Sequence, residues 1–175
     1  MSTRSTSRPG SRYADAAGAR RALEMALPMI EAAMRDDSVC GSGFLYIVVM
    51  DPAIGPGDAS FDEAVLLEHA IGDRTRWDAD YAAFARAKAE LSWRHSMDSQ
   101  AVHHTRAHAL REGDSTLWGS VCLDGIVVGI SGAHPWYDEA FATCIAGCLR
   151  AIAKERLAAA VAARQLSVPR EIPAT

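Results

Sequence analysis

The sequence predicts a single α+β domain with an antiparallel sheet and flanking helices. Three observations predict it. The apolar pattern changes period in the order helix, strand, strand, helix, helix, strand, strand, helix, which is not the alternation of a doubly wound βαβ fold. Two apolar runs meet at a two-residue Asp124-Gly125 step, the strongest short indication of a hairpin, because both central positions of a type I′ turn need positive φ. The chain of 175 residues is long enough for one core and hardly for two.

Taken in order, residues 1–12 read as a solvated, flexible tail, Ser-rich with Arg4, Arg8 and Arg12; residues 13–166 read as the domain, and residues 167–175 as a fraying tail with Pro169 and Pro173. From Tyr13 to Arg35, apolar residues at helical spacing, Leu23, Ala26, Leu27 and Ile30 among them, predict a helix that Pro28 kinks or splits. Phe44 to Met50 is an uninterrupted β-branched and aromatic run, suited to a central strand covered on both faces. A Pro- and Gly-rich loop follows, and Ala64 to Ile71 predicts a second strand. Asp78 or Asp80 caps a helix to about His95, with Lys88 at the edge of its apolar face. Asp98 or Ser99 caps a further helix to about Glu112, closed by Gly113. The Leu117–Ser131 hairpin comes next. The last helix begins at Pro135 with a buried stripe of Phe141, Cys144, Ile145, Cys148, Leu149 and Ile152.

Composition removes several function classes. With 49% apolar and 23% charged residues the chain is neither disordered nor fibrous. Its net charge of −4 lacks the basic excess of a general nucleic-acid binder. There is no uncharged apolar run long enough to span a membrane and no secretory leader, so a cytoplasmic location is expected. Cys40, Cys122, Cys144 and Cys148 are then free thiols.

The best candidate site is the exit from the hairpin. Ser131, Gly132 and Ala133 leave the backbone open to approach, and the helix start that follows, with its N–H groups and positive dipole end, favours an anionic group. His134 supplies an imidazole there, Ser131 a hydroxyl, and Trp118 and Trp136 aromatic faces for a planar ligand. Asp138 and Glu139 in the first turn suit the helix dipole. His104 and His108, four apart on one predicted helix face, could share a divalent metal with a third ligand from elsewhere. Arg94, Arg106 and Arg111 are possible partners for a carboxylate.

Three blocks, Ile47-Val48-Val49-Met50-Asp51, Ala85-Arg86-Ala87-Lys88-Ala89, and Asp124-Gly125 through Val128-Gly129-Ile130-Ser131-Gly132-Ala133 to Asp138-Glu139, resemble in sequence and order the GlcG/HbpS-like haem-binding family. The resemblance runs from about residue 22 to residue 153. It implies a profilin-like fold, assembly into homo-oligomers and, for some members, binding or degradation of haem. The expectation is a protein that binds a planar or acidic small molecule, with haem foremost. The alternatives are an enzyme acting on a small organic acid by acid–base or metal-assisted chemistry, and a non-catalytic accessory subunit.

Overall fold

A run of six residues, Leu45–Met50, forms the centre of the sheet in a computed structural model that describes residues 10–164 and 167–168. This strand, β1, is buried at every position, as its lack of alternation requires of a strand covered on both faces. It pairs with β2 (Val65–Ile71) on one side and with β4 (Ile126–Ser131) on the other, and β3 (Ser120–Leu123) pairs with β4 at the far edge. All three pairings are antiparallel, in the order β2-β1-β4-β3. The predicted α+β class with one antiparallel sheet is observed.

Side-chain alternation distributes β1 between two cores. Leu45, Ile47 and Val49 face a layer made by α1 (Ala16–Ala33) and α4 (Pro135–Ala162). Tyr46, Val48 and Met50 face α2 (Tyr81–His95) on the other side. Gly129 of β4 also faces α2, where an added Cβ would stand 2.7 Å from the Ala85 carbonyl oxygen and the Ala89 Cβ. Helix α2 therefore approaches the sheet closely through Ala85 and Ala89. The hairpin turn has the predicted chemistry, with φ of 52° at Asp124 and 87° at Gly125.

Several boundaries differ from expectation. Pro28 neither splits nor ends α1; it lies on the exposed face, where solvent can satisfy the carbonyl that loses its N–H partner. Residues 1–9 of the expected N-terminal tail, and 169–175 of the C-terminal one, lie outside the described residues. Gly10 to Arg12 are held, since the Ser11 N–H donates to both Asp51 carboxylate oxygens at 3.0 Å. The expected helix from 98 to 112 is shorter: α3 spans Ser99–Thr105 and a separate 3-10 turn spans Ala107–Ala109. The Thr105 hydroxyl donates back to the Ala101 carbonyl at 2.6 Å, a bond that competes with the helical ladder where the helix stops. Cys144 is exposed and not part of the buried stripe of α4, whose small buried positions are Ala142 and Ala146. Among the described residues no helix is long and apolar enough to cross a membrane.

Candidate functional site

The candidate site lies where β4 ends and α4 begins. Ser131 closes β4 opposite Tyr46 of β1, and Gly132 turns the chain at φ 140°. A methyl group on Gly132 would overlap the Phe44 carbonyl oxygen and stand 2.9 Å from the Leu45 Cα, so this glycine permits backbone-to-backbone packing. The Gly132 carbonyl accepts from the Ser42 hydroxyl at 2.9 Å. Here the structure departs from the open backbone expected of the small-residue loop. The Ala133 N–H donates to Asp138 Oδ1 at 3.0 Å, and the His134 N–H to the Val39 carbonyl at 3.1 Å. Two of the N–H groups expected to face an anion are therefore spent inside the protein.

Beneath the loop lies a sealed ion pair that sequence reasoning missed. Lys88 Nζ from α2 reaches Asp138 Oδ2 at 2.9 Å, with the two side chains 4% and 1% exposed. The ammonium also donates to the Ile130 carbonyl at 3.0 Å and to Ser131 Oγ at 3.3 Å, so its three protons have three acceptors. Gly119 lies over the pair: a Cβ there would meet Asp138 Cβ at 2.7 Å and Lys88 Nζ at 3.1 Å. Burial pushes the Asp138 carboxyl up to about 7, against the lowering effect of Lys88 and of the Ala133 N–H. A lysine on the otherwise small-residue face of Ala85, Ala89 and Ser92 was the available clue, since such a charge has to find a buried partner.

A chain of hydroxyls continues from this pair toward β3. Ser120 Oγ donates to the Lys88 carbonyl at 2.6 Å, which leaves Ser92 Oγ, 2.7 Å away, as the donor to Ser120. Ser99 Oγ accepts from the Gly119 and Ser120 N–H groups at 3.1 Å each. Asp98 accepts the Cys122 N–H at 2.7 Å. Both expected capping residues of α3 are thus bonded to the hairpin. Glu139, beside Asp138, is half-buried with its Oε1 unpartnered, and burial followed by the nearby Asp98 charge holds its carboxyl above the usual range.

Above the sealed layer the predicted aromatic residues do come together. His134 stacks on Trp136 with ring centroids 5.2 Å apart and planes 11° from parallel. Trp118 lies 6.5 Å from Trp136 at 49°, and Tyr137 lies 6.4 Å from it at 57°. Trp136 is 56% exposed and Leu117 45% exposed, so the cluster presents an apolar surface to solvent. The ring nitrogens of His134 have no hydrogen-bond partner among the described residues. Of the predicted set, Trp118, His134 and Trp136 form this surface, while Ser131, Gly132 and Ala133 form its packed floor.

The proposed metal pair is not assembled in the same way. His104 belongs to α3 and His108 to the separate 3-10 turn, both exposed, so the single helix face expected to carry them does not exist. His103 is engaged by the Ser115 carbonyl at 2.8 Å. Among the described residues no three or more His, Cys, Asp or Glu side chains are grouped to hold a metal ion. Arg94 is bound to Asp114 at 2.7 Å, and Arg106 lies 3.5 Å from the His95 carbonyl, so the polar contacts of both are made within the protein.

A cavity of about 260 Å³ opens at the opposite end of the sheet, lined by the Asp51–Pro56 loop, Trp93, Cys122 and Val127. None of the sequence-predicted ligand residues lines it. The Asp51 carboxylate there is occupied by the Ser11 and Ala53 N–H groups. No family model matches the chain, and no curated protein matches it.

Proposed function

We propose that this protein binds a planar small molecule, with haem the leading candidate, on the aromatic surface formed by Trp118, His134 and Trp136. The observation that carries the reading is the parallel His134–Trp136 stack, exposed at the start of α4, with an imidazole whose nitrogens have no protein partner. A flat π-system can stack on an exposed indole face, and the His134 imidazole, whose lone pair lies in its own ring plane, can ligate a metal at the centre of that system once it rotates out of the parallel stack. A carboxylate on the ligand would be drawn to the positive end of α4, although the Ala133 and His134 N–H groups no longer take part. The sequence resemblance to the GlcG/HbpS-like family supports the same reading, together with a profilin-like description of the fold and assembly into homo-oligomers.

Binding is better supported than catalysis on a small organic acid. Ser131 is 5% exposed, and the nearest basic group, Lys88, donates to its oxygen from a sealed position. A non-catalytic accessory role would use the same aromatic surface for assembly. Titration of micromolar protein with haem tests the reading. A shifted Soret band in the wild type that is lost in His134→Ala is expected; an unshifted band in the wild type overturns haem. Stable assembly with a partner protein and no small-molecule thermal shift would favour the accessory role.

A further inference from the structure

Helices α1 and α4 run antiparallel over the sheet. Asp15 at the start of α1 accepts from Arg156 at 2.8 Å, Arg21 pairs with Glu155 at 3.1 Å, and Gly18 packs against Leu149. At the other end the Val39 carbonyl accepts the His134 N–H. This register sets Met25 level with about residues 146–148 of α4 and Met29 with about residues 142–144.

The faces agree with that register. On α4, Cys144 and Cys148 are four apart, on the same side as Glu155, which reaches α1. On α1, Met25 and Met29 are also four apart, on the side of Gly18, which touches α4. Both methionines are exposed, at 53% and 43%, although they flank a helix seam that elsewhere buries alanine and leucine. Cys144 is exposed and Cys148 half-buried. Four sulfur-bearing side chains thus fall on the facing sides of the two helices, and the two thiols are close enough for the charge of one to act on the other.

Soft thiolate and thioether donors select Cu(I), whereas a thioether adds little for Zn²⁺ or for hard, oxygen-seeking cations. We propose that the α1–α4 seam is a Cu(I) site, in which the Cys144 and Cys148 thiolates bind the ion and the Met25 and Met29 thioethers complete its coordination. Binding breaks two S–H bonds, forms two S–Cu(I) bonds and releases two protons to solvent; no electron moves. Because both thiols must lose a proton to bind, affinity rises with pH. The site is separate from the aromatic surface and does not depend on haem binding.

The test is anaerobic competition between reduced protein and the colorimetric Cu(I) chelator bicinchoninate. The wild type is expected to withdraw about one equivalent of copper. C144A/C148A and, as a second pair, C144S/C148S should withdraw none, and M25L/M29L should bind at least 10-fold more weakly. C40A/C122A should behave as the wild type. Circular dichroism on each variant separates loss of metal from loss of fold; M25L/M29L changes only exposed positions. Three results overturn the proposal: copper that stays with the chelator in the presence of wild type, undiminished binding by folded C144A/C148A or C144S/C148S, or undiminished binding by M25L/M29L.

Discussion

Lys88 Nζ and Asp138 Oδ2, 2.9 Å apart and sealed from solvent, tie together helices that lie on opposite faces of the sheet. Removing Asp138 leaves the buried Lys88 charge without compensation, at a cost of about 3–5 kcal/mol. Asp138→Leu should therefore lose about that much in urea unfolding. The double variant Lys88→Met/Asp138→Leu should recover most of it, because the burial penalty disappears with both charges. If the double variant is as unstable as the single one, the pair is not the source of the loss.

The same carboxyl gives a pH dependence. Its folded value of about 7 lies above the ordinary 3.8, so the folded chain holds this proton more tightly than the unfolded one. Its contribution to stability is therefore fully present below about pH 4 and is lost as pH rises toward 7. Asp138→Asn should flatten that slope across the interval, as measured by unfolding at each pH. A slope equal to that of the wild type would show that another group sets it.

Asp114 behaves in the opposite sense. Burial would raise its carboxyl, but the Arg111 N–H at 2.7 Å and the Arg94 guanidinium together hold it below the usual range. Stability from this group is present above about pH 4 and is lost as pH falls through the lowered value. Asp114→Asn should cost about 1–2 kcal/mol at pH 7 and much less at pH 3. Thermal unfolding at the two pH values checks it.

Gly132 and Gly125 separate two uses of glycine. Both have positive φ, but a methyl group at Gly125 meets nothing, whereas at Gly132 it collides with the β1 backbone. Gly125→Ala should cost about 1 kcal/mol from backbone conformation alone. Gly132→Ala should cost more than about 3 kcal/mol or yield insoluble protein, since β1 or the loop has to move. Equal midpoints for the two variants would contradict this.

Trp136 should matter more to a ligand than to the fold. Because it is 56% exposed, Trp136→Ala should change stability by less than about 1 kcal/mol. It should weaken haem affinity about 10-fold, as base stacking on an aromatic side chain is worth about 1–3 kcal/mol. Unchanged affinity would remove Trp136 from the site.

The sequence revealed elements whose composition alone decides them. Phe44 to Met50 could hardly be anything but a central strand, Asp124-Gly125 named its own turn, and Asp80 capped α2 through the Ala83 N–H as its residue type allows. Contacts between distant segments were not legible. Lys88 was visible at the edge of a helix face and Asp138 in a helix first turn, but their separation of 50 positions concealed their pairing, and the dipole gave Asp138 an adequate local explanation. The end of α3 at Thr105 is marked by neither Gly nor Pro. Cys144 was placed on the buried stripe because thiols are apolar, while smaller Ala142 and Ala146 were buried instead. The aromatic residues named from the sequence do lie side by side, but the loop beneath them is closed where it was expected to be open, because a Ser-Gly-Ala loop is tightly packed once Phe44 lies against it.

The position of β1 between β2 and β4 has a consequence for synthesis on the ribosome. Its partner β4 pairs from about eighty residues further along the chain, so one edge of the most apolar strand stays unsatisfied until the hairpin has emerged. During that interval the nascent chain presents a bare Leu45–Met50 edge with no proline or charge to blunt it. Slowed translation before residue 131, or truncation there, should therefore turn a foldable chain into an aggregating one.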